Sequence, residues 1–160
     1  MLTRVRDLER LVPAGERLLL DTSAIAAYLD SSETVHSVAV FVLDSLVASG
    51  RNEALVSTIT VMELLVRPLR ASSADQETIL QFVTHQPNLR AAPLDMHAAE
   101  DAAFLRVQYR LSPPDALVAA TALSYGAGHL ITNDASWASK LAALQDRLTV
   151  HILASFTLPG

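Results

Sequence analysis

Short apolar runs alternate with longer segments of helical periodicity along the chain. The runs are too short to be typical helices and are rich in leucine, isoleucine and valine, as expected of strands buried on both faces of a sheet. The sequence therefore predicts five strands, in the segments RLLLD (17–21), EALVST (53–58), LRAAPL (89–94), HLIT (129–132) and LTVHILA (148–154).

Segments with apolar residues at helical spacing lie between these runs. Pro68 is predicted to end one helix, Gly50 and Gly126 to close two others, and Ser73 to start the helix that follows Pro68. The segment LSPP (111–114) is predicted to separate two further helices. The predicted helices are TSAIAAYLD, HSVAVFVLDSLVASG, ITVMELLVR, SADQETILQFVTH, DMHAAEDAAFLRVQYR, DALVAATALSYG and ASWASKLAALQ.

This alternation of elements predicts an α/β fold with a mainly parallel sheet flanked by helices on both faces. We expect a single domain over residues 17–156, preceded by a short extension, residues 1–16. The extension is predicted to be helical, with Val5, Leu8 and Val12 on one face. In parallel sheets, ligands bind outside the carboxyl ends of the strands, where the chain changes direction.

Composition narrows the possible chemistry. Of the 160 residues, 51% are hydrophobic and 18% charged, which is enough apolar material for one substantial core. There is no cysteine, which excludes disulfides, thiolate zinc sites and cysteine nucleophiles and fits a reducing cytoplasm. The net charge of −5 provides no bulk attraction to nucleic acid. Glycines interrupt the longest uncharged run, residues 116–133, so we expect a cytoplasmic protein without a membrane span.

Four isolated carboxylates stand at unusual places in this pattern. Asp21 lies at the carboxyl end of the first predicted strand and Asp134 just beyond the fourth. Glu63 lies on the helix after the second strand, and Asp115 opens an otherwise uncharged helix. Each has an ordinary alternative: Asp21 and Asp134 as helix caps, Asp115 as a partner of the helix dipole, and Glu63 as a partner of Arg67 one turn later.

Glu63 fits the ordinary alternative least well, because apolar residues surround it in the sequence from Ile59 to Val66. A lone buried carboxylate would protonate, and several converging carboxylates would repel one another. A bound divalent cation removes both costs, and oxygen ligands favour Mg²⁺ or Mn²⁺ over zinc or copper. We therefore predict a metal site. The polar neighbours expected to orient its carboxylates or position water are Thr22, Ser23, Thr132 and Asn133, with capping and turn formation as the alternative.

Four segments in this order, LLLDTSAIAAYL, VSTITVMELLVRP, PPDALVAATAL and HLITNDASW, resemble the PIN-domain ribonucleases, in particular the VapC-type toxins of toxin–antitoxin pairs. The resemblance spans about residues 17–156. It implies a five-stranded parallel sheet and Mg²⁺- or Mn²⁺-dependent endoribonuclease activity, with Asp21 and Asp115 as principal metal ligands and Glu63 and Asp134 as supporting ones. It further implies an RNA substrate, a homodimer and inhibition by a cognate antitoxin. Pro113 and Pro114, in place of the small residue that many members have before the third acid, depart from the family pattern.

Arginines near the predicted crevice are candidate phosphate contacts, with solvated helix faces as the alternative. They are Arg67, Arg70, Arg106 and Arg110.

The sequence leaves two alternatives to a ribonuclease. A PIN-fold module that binds RNA or a basic peptide without catalysis is the main alternative, and another Mg²⁺-dependent phosphohydrolase the next. The sequence lacks a second aspartate two residues after Asp21, a lysine on a late strand, and the glycine-rich loops of nucleotide-binding proteins. The five histidines show no metal-ligand spacing and are predicted to lie at the surface or at helix ends. Trp137 is predicted to belong to the core, with stacking on RNA bases as the alternative.

Overall fold

The computed structural model describes residues 2–71 and 74–157. Five strands form one sheet in the order β3-β2-β1-β4-β5, and every neighbouring pair is parallel. The predicted α/β fold with a mainly parallel sheet is therefore confirmed. The strands are β1 (Leu18–Leu20), β2 (Ala54–Ser57), β3 (Leu89–Ala92), β4 (His129–Thr132) and β5 (Thr149–Ile152).

Eight α-helices lie among the described residues, and none is long and apolar enough to cross a membrane. A π-helical stretch, Phe41–Ala48, continues the third helix, and short 3₁₀ turns cover Ala142–Leu144 and Leu153–Phe156. The helices are α1 (Leu2–Leu11), α2 (Thr22–Leu29), α3 (His36–Val40), α4 (Thr58–Ala71), α5 (Asp75–His85), α6 (Met96–Tyr109), α7 (Pro113–Ser124) and α8 (Ser136–Lys140).

Two apolar layers enclose the sheet, because successive side chains of a strand point to opposite faces. Leu18 and Leu20 of β1 pack in one layer, and Leu19 packs in the other. The first layer contains buried residues of α1 to α5, and the second contains those of α6, α7 and α8. This two-sided burial explains why β1, β2 and β4 appear in the sequence as apolar runs, whereas the edge strands β3 and β5 are partly exposed.

The sheet order creates a change of chain direction beside β1. From the central strand β1 the chain moves outward through β2 to β3, and it then returns to the other side of β1 to form β4 and β5. The carboxyl ends of β1 and β4 therefore border the crevice in which parallel sheets bind their ligands.

The N-terminal helix packs on the first apolar layer. Val5, Leu8 and Val12 are buried, as their spacing predicts. The Arg51 guanidinium donates to the carbonyls of Glu9 and Val12 at 2.9 and 2.8 Å. These bonds attach α1 to the loop before β2.

Three predicted helix boundaries are wrong. Pro68 does not end α4, which continues to Ala71. Proline lacks one N–H and its ring crowds the preceding turn, but the Pro68 ring is buried and α4 continues through it. Pro113 and Pro114 begin α7 rather than precede it, with the Ser112 hydroxyl as its cap. The helix predicted over 135–145 breaks after Lys140 into a 3₁₀ turn.

The start signal assigned to Ser73 lies outside the described residues. Among those that are described, α5 begins at Asp75.

Candidate metal and phosphate site

Four elements bring the four predicted acids to one cavity. Asp21 follows β1, Asp134 lies two residues beyond β4, Glu63 projects from α4, and Asp115 occupies the first turn of α7. All four line a cavity of about 300 Å³ at the carboxyl ends of β1 and β4, together with Thr22, Ser23, Pro114, Val118 and Trp137.

Asp21 is held by hydrogen bonds on one of its two carboxylate oxygens. Its side chain is 7% exposed, and Oδ2 accepts from Thr132 Oγ1 at 2.8 Å, Ser23 Oγ at 3.2 Å and Trp137 Nε1 at 3.3 Å. Asp21 occupies the cap position of α2, but among the described contacts its carboxylate does not cap the helix. The ordinary capping interpretation therefore does not explain this residue.

The Thr132 hydroxyl also connects Asp21 to the fourth acid. While it donates to Asp21, its oxygen accepts the amide N–H of Asp134 at 3.0 Å. The Ser23 hydroxyl lies 3.0 Å from Thr132 Oγ1 and accepts the amide N–H of Asn133 at 2.8 Å. The Asn133 side chain accepts from the backbone of Ala154. Three of the predicted supporting residues thus join the loops after β1 and β4.

Glu63 is paired with a hydroxyl rather than with a cation. Thr22 Oγ1 donates to Glu63 Oε2 at 2.5 Å, across the gap between α2 and α4. No ion pair between Glu63 and Arg67 occurs in the described part of the chain. Glu63 therefore faces the loop that carries Asp21, instead of contacting its helical neighbour.

Asp115 and Asp134 converge on one ammonium group. Lys140 Nζ lies 3.0 Å from Asp115 Oδ2 and 3.9 Å from Asp134 Oδ2, and 5.0 Å from the centre of the Trp137 ring. Hydrogen bonding from Ser136 lowers the pKa of the Asp134 carboxyl, and the charge of Lys140 lowers it further, so Asp134 is ionised at neutral pH.

Two further residues of this site, Lys140 and Trp137, are not among the predicted ligands or supporting residues. Trp137 is indeed 3% exposed, but its indole N–H also donates to Asp21. A signal was present, because Trp137 and Lys140 are three residues apart and follow Asp134 closely.

The donor set fits a hard divalent cation. The cavity offers carboxylate and hydroxyl oxygens and no thiolate or imidazole among the described lining residues. Two of the acids already converge on a single positive charge. Within the described range, no three acidic or histidine side chains form a ready-made coordination cluster. Mg²⁺ does not need one, because it keeps several waters and is held by one or two carboxylates.

The candidate phosphate contacts are not among the described residues that line this cavity. Arg67 lines a separate cavity of about 570 Å³ between α2, α4 and α5. Arg70, Arg106 and Arg110 are exposed at or near helix ends. Arg110 follows α6 with a φ of 57°, which turns the chain toward α7.

Two histidines, the half-buried His129 and the buried His151, form a pair on β4 and β5, so the prediction that all five lie at surfaces or helix ends is wrong. His129 Nδ1 lies 2.9 Å from His151 Nε2, and His151 is 4% exposed. Burial, reinforced by the neighbouring His129, lowers the pKa of His151 to about 4. Burial also lowers the pKa of His129. The pair lies on adjacent strands, a proximity that residue spacing does not reveal.

Comparison with known proteins agrees with this geometry. The sequence profile of the PIN domain matches residues 18–143. No curated protein matches the sequence significantly. Several solved structures share the fold. FitAcB from Neisseria gonorrhoeae has a TM-score of 0.65 and 24% identity, over 86% of this chain and 98% of that one.

Two further structures are similar over most of their length. VapC20 from Mycobacterium tuberculosis, described as a sarcin–ricin loop-cleaving toxin, has a TM-score of 0.62 and 17% identity over 76% of this chain and 93% of its own. A toxin–antitoxin complex from Klebsiella pneumoniae has a TM-score of 0.60 and 22% identity over 85% of this chain and 97% of its own.

Proposed function

The chain belongs to the PIN-domain family, and we propose that it is a divalent-metal-dependent endoribonuclease, the VapC-type toxin of a toxin–antitoxin pair. The observation that carries this proposal is the convergence of Asp21, Glu63, Asp115 and Asp134, from four separate elements, on one cavity at the change of chain direction. A structural role such as capping would not require all four acids to meet.

The metal ion, Mg²⁺ or Mn²⁺, would be held by Asp21, Glu63, Asp115 and Asp134. The bound ion would supply an activated water and stabilise the leaving oxygen of a phosphodiester. One oxygen of Asp21 accepts hydrogen bonds from Thr132, Ser23 and Trp137. These bonds fix the orientation of the carboxylate and therefore that of its other oxygen.

Glu63 is oriented in the same way by the Thr22 hydroxyl. The acids thus act as ligands and positioning groups, and none of them needs to become a nucleophile.

The partners follow from this role. RNA would be the substrate, with the exposed Arg106 and Arg110 near the start of α7 as candidate contacts to flanking phosphates. A toxin of this kind would act in the cytoplasm and be neutralised by a cognate antitoxin. Exposed apolar side chains on α6, Phe104 at 61% and Val107 at 85% exposed, support a protein interface, and we assign it to a homodimer.

Cleavage of a pool of structured RNAs tests the activity. Wild-type protein should cut with Mg²⁺ or Mn²⁺ and not with chelator, and Asp115→Asn should abolish the cuts. Asp146→Asn is the matched control, because Asp146 is an exposed aspartate before the amino end of β5, away from the cavity. Cuts that persist in chelator or in Asp115→Asn would contradict the proposal.

Expression in cells separates the catalytic function from the non-catalytic alternative. Growth arrest by wild type, relieved by Asp21→Asn with unchanged protein level, supports the nuclease. Arrest that persists with Asp21→Asn favours a module that binds RNA or peptide without cleavage. A small upstream reading frame encoding a DNA-binding domain with a disordered tail would support the antitoxin partner.

A further inference from the structure

Lys140 contacts two of the four acids that line the cavity, Asp115 and Asp134. Its ammonium contacts Asp115 at 3.0 Å and approaches Asp134 at 3.9 Å, and 30% of its side chain is exposed. It is the only lysine in the sequence. Lys140 is the last residue of α8, and its flexible side chain extends from this helix toward the first turn of α7.

The contacts of Lys140 use the same carboxylates that the proposed function assigns to the metal. Two positive charges in contact with the same two carboxylates would repel each other, because the Coulomb interaction between charges is weakly screened in a partly buried site. The ammonium and a divalent cation therefore exclude each other at Asp115 and Asp134.

We propose that Lys140 is an intramolecular competitor of the divalent cation: its ammonium neutralises Asp115 and Asp134 and is displaced when the ion binds. This inference rests on the proposed metal-dependent function and adds a determinant of metal affinity to it. The Trp137 ring lies one turn earlier on α8, with the ammonium of Lys140 over its face. Because a cation is attracted to the face of an aromatic ring, this ring offers the ammonium a favourable position beside Asp115 and Asp134.

Mn²⁺ binding to full-length variants measures the competition without reference to catalysis. We expect Lys140→Gln to bind Mn²⁺ about fivefold more tightly than wild type, as loss of two partly exposed ionic contacts predicts. Lys140→Arg, which retains the charge, should stay close to wild type. Arg147→Gln removes the same charge from an exposed position before the amino end of β5 and should leave the affinity unchanged.

The wild-type protein provides a second measurement that does not depend on the folding of a variant. Because the chain has one lysine, selective ¹³C- and ¹⁵N-lysine labelling yields a single side-chain ammonium signal, assigned without mutagenesis. Addition of Mg²⁺ should shift this signal in step with metal occupancy as Lys140 leaves its carboxylate partners. Asp146→Asn should show the same shift, and Asp115→Asn should reduce it.

The outcomes distinguish this inference from the proposed function. Tighter Mn²⁺ binding by folded Lys140→Gln together with a metal-dependent lysine signal supports it. Equal Mn²⁺ affinities of wild type, Lys140→Gln and Arg147→Gln, or a lysine signal unmoved at metal saturation, overturn it and leave the nuclease proposal standing. Absence of Mn²⁺ binding in all folded variants overturns the metal-dependent function and this inference together.

Discussion

Thr132 Oγ1 lies 2.8 Å from Asp21 Oδ2, and this hydrogen bond joins the carboxyl ends of the two strands that border the crevice. The same hydroxyl accepts the amide N–H of Asp134 at 3.0 Å. One small side chain thus orients a carboxylate on one side of the crevice and the backbone of a second acid on the other.

Thr132→Val tests this arrangement, because valine preserves the shape of threonine and removes both hydrogen bonds. We expect the RNA cleavage rate and Mn²⁺ affinity to fall by roughly 10- to 100-fold, as is usual when a group that orients metal ligands is lost. Thr132→Ser keeps the hydroxyl and should remain within a few-fold of wild type. Equal Mn²⁺ affinity in the valine and serine variants would show that the hydroxyl does not orient the site.

The buried histidine pair predicts an acid-sensitive stability. The pKa of His151 is about 4 in the folded protein and 6.5 ordinarily, so between these values the unfolded chain binds the proton more readily. The contribution of neutral His151 is therefore complete above pH 6.5 and decreases as the pH falls toward 4. We expect the free energy of unfolding to drop by about 2 kcal/mol between pH 7 and pH 5 from this residue. Urea unfolding at several pH values measures it.

A paired control identifies the histidine responsible for the pH dependence. His151→Leu should flatten the slope over this range, whereas His85→Leu should leave it unchanged, because His85 is exposed at the end of α5. Retention of the full slope in His151→Leu would assign the effect to other groups.

Thr60 on α4 carries a buried hydroxyl without a hydrogen-bond partner among the described residues. An unsatisfied buried hydroxyl costs free energy, and its replacement by a methyl group of similar shape removes that cost. Thr60→Val should therefore be neutral or stabilising, by up to about 1 kcal/mol in the free energy of unfolding.

Thr121 is the matched control for Thr60. It is equally buried, but its hydroxyl donates to the Leu117 carbonyl at 2.8 Å and lies 3.1 Å from Ser57 Oγ. Thr121→Val should destabilise the protein by about 1–2 kcal/mol, because it leaves a buried partner unsatisfied. Chemical denaturation of both variants compares them directly, and equal destabilisation would contradict the interpretation of Thr60.

Local sequence signals were sufficient to predict a strand where consecutive residues of the chain are buried. The HLIT strand has the predicted bounds, His129–Thr132, because polar or glycine residues flank an apolar run on both sides. Pro68 shows the limit of local rules: the intrinsic cost of proline predicts a helix end, but tertiary packing of a buried ring overrides it. The residues next to Pro68 in the sequence do not show which parts of the chain will pack against its ring.

The site was predictable to the extent that its acids follow strands. Asp21 and Asp134 could be placed at the same edge of the sheet because parallel strands share their carboxyl ends. The contact of Lys140 with Asp115 was not predictable, since it depends on where α8 ends and how it approaches α7. The histidine pair escaped prediction for the same reason, because it depends on the register of β4 against β5.

The central position of β1 has a consequence for synthesis of the chain. β1 and its acid emerge from the ribosome early, but Thr132 and Trp137, which hold Asp21, lie 111 and 116 residues later. Until β4 is made, β1 has an unpaired edge on the side that β4 will occupy. The acidic cavity therefore cannot assemble before β4 and α8 have been made, and a truncated translation product that ends before β4 lacks Asp134 and the two residues that hold Asp21.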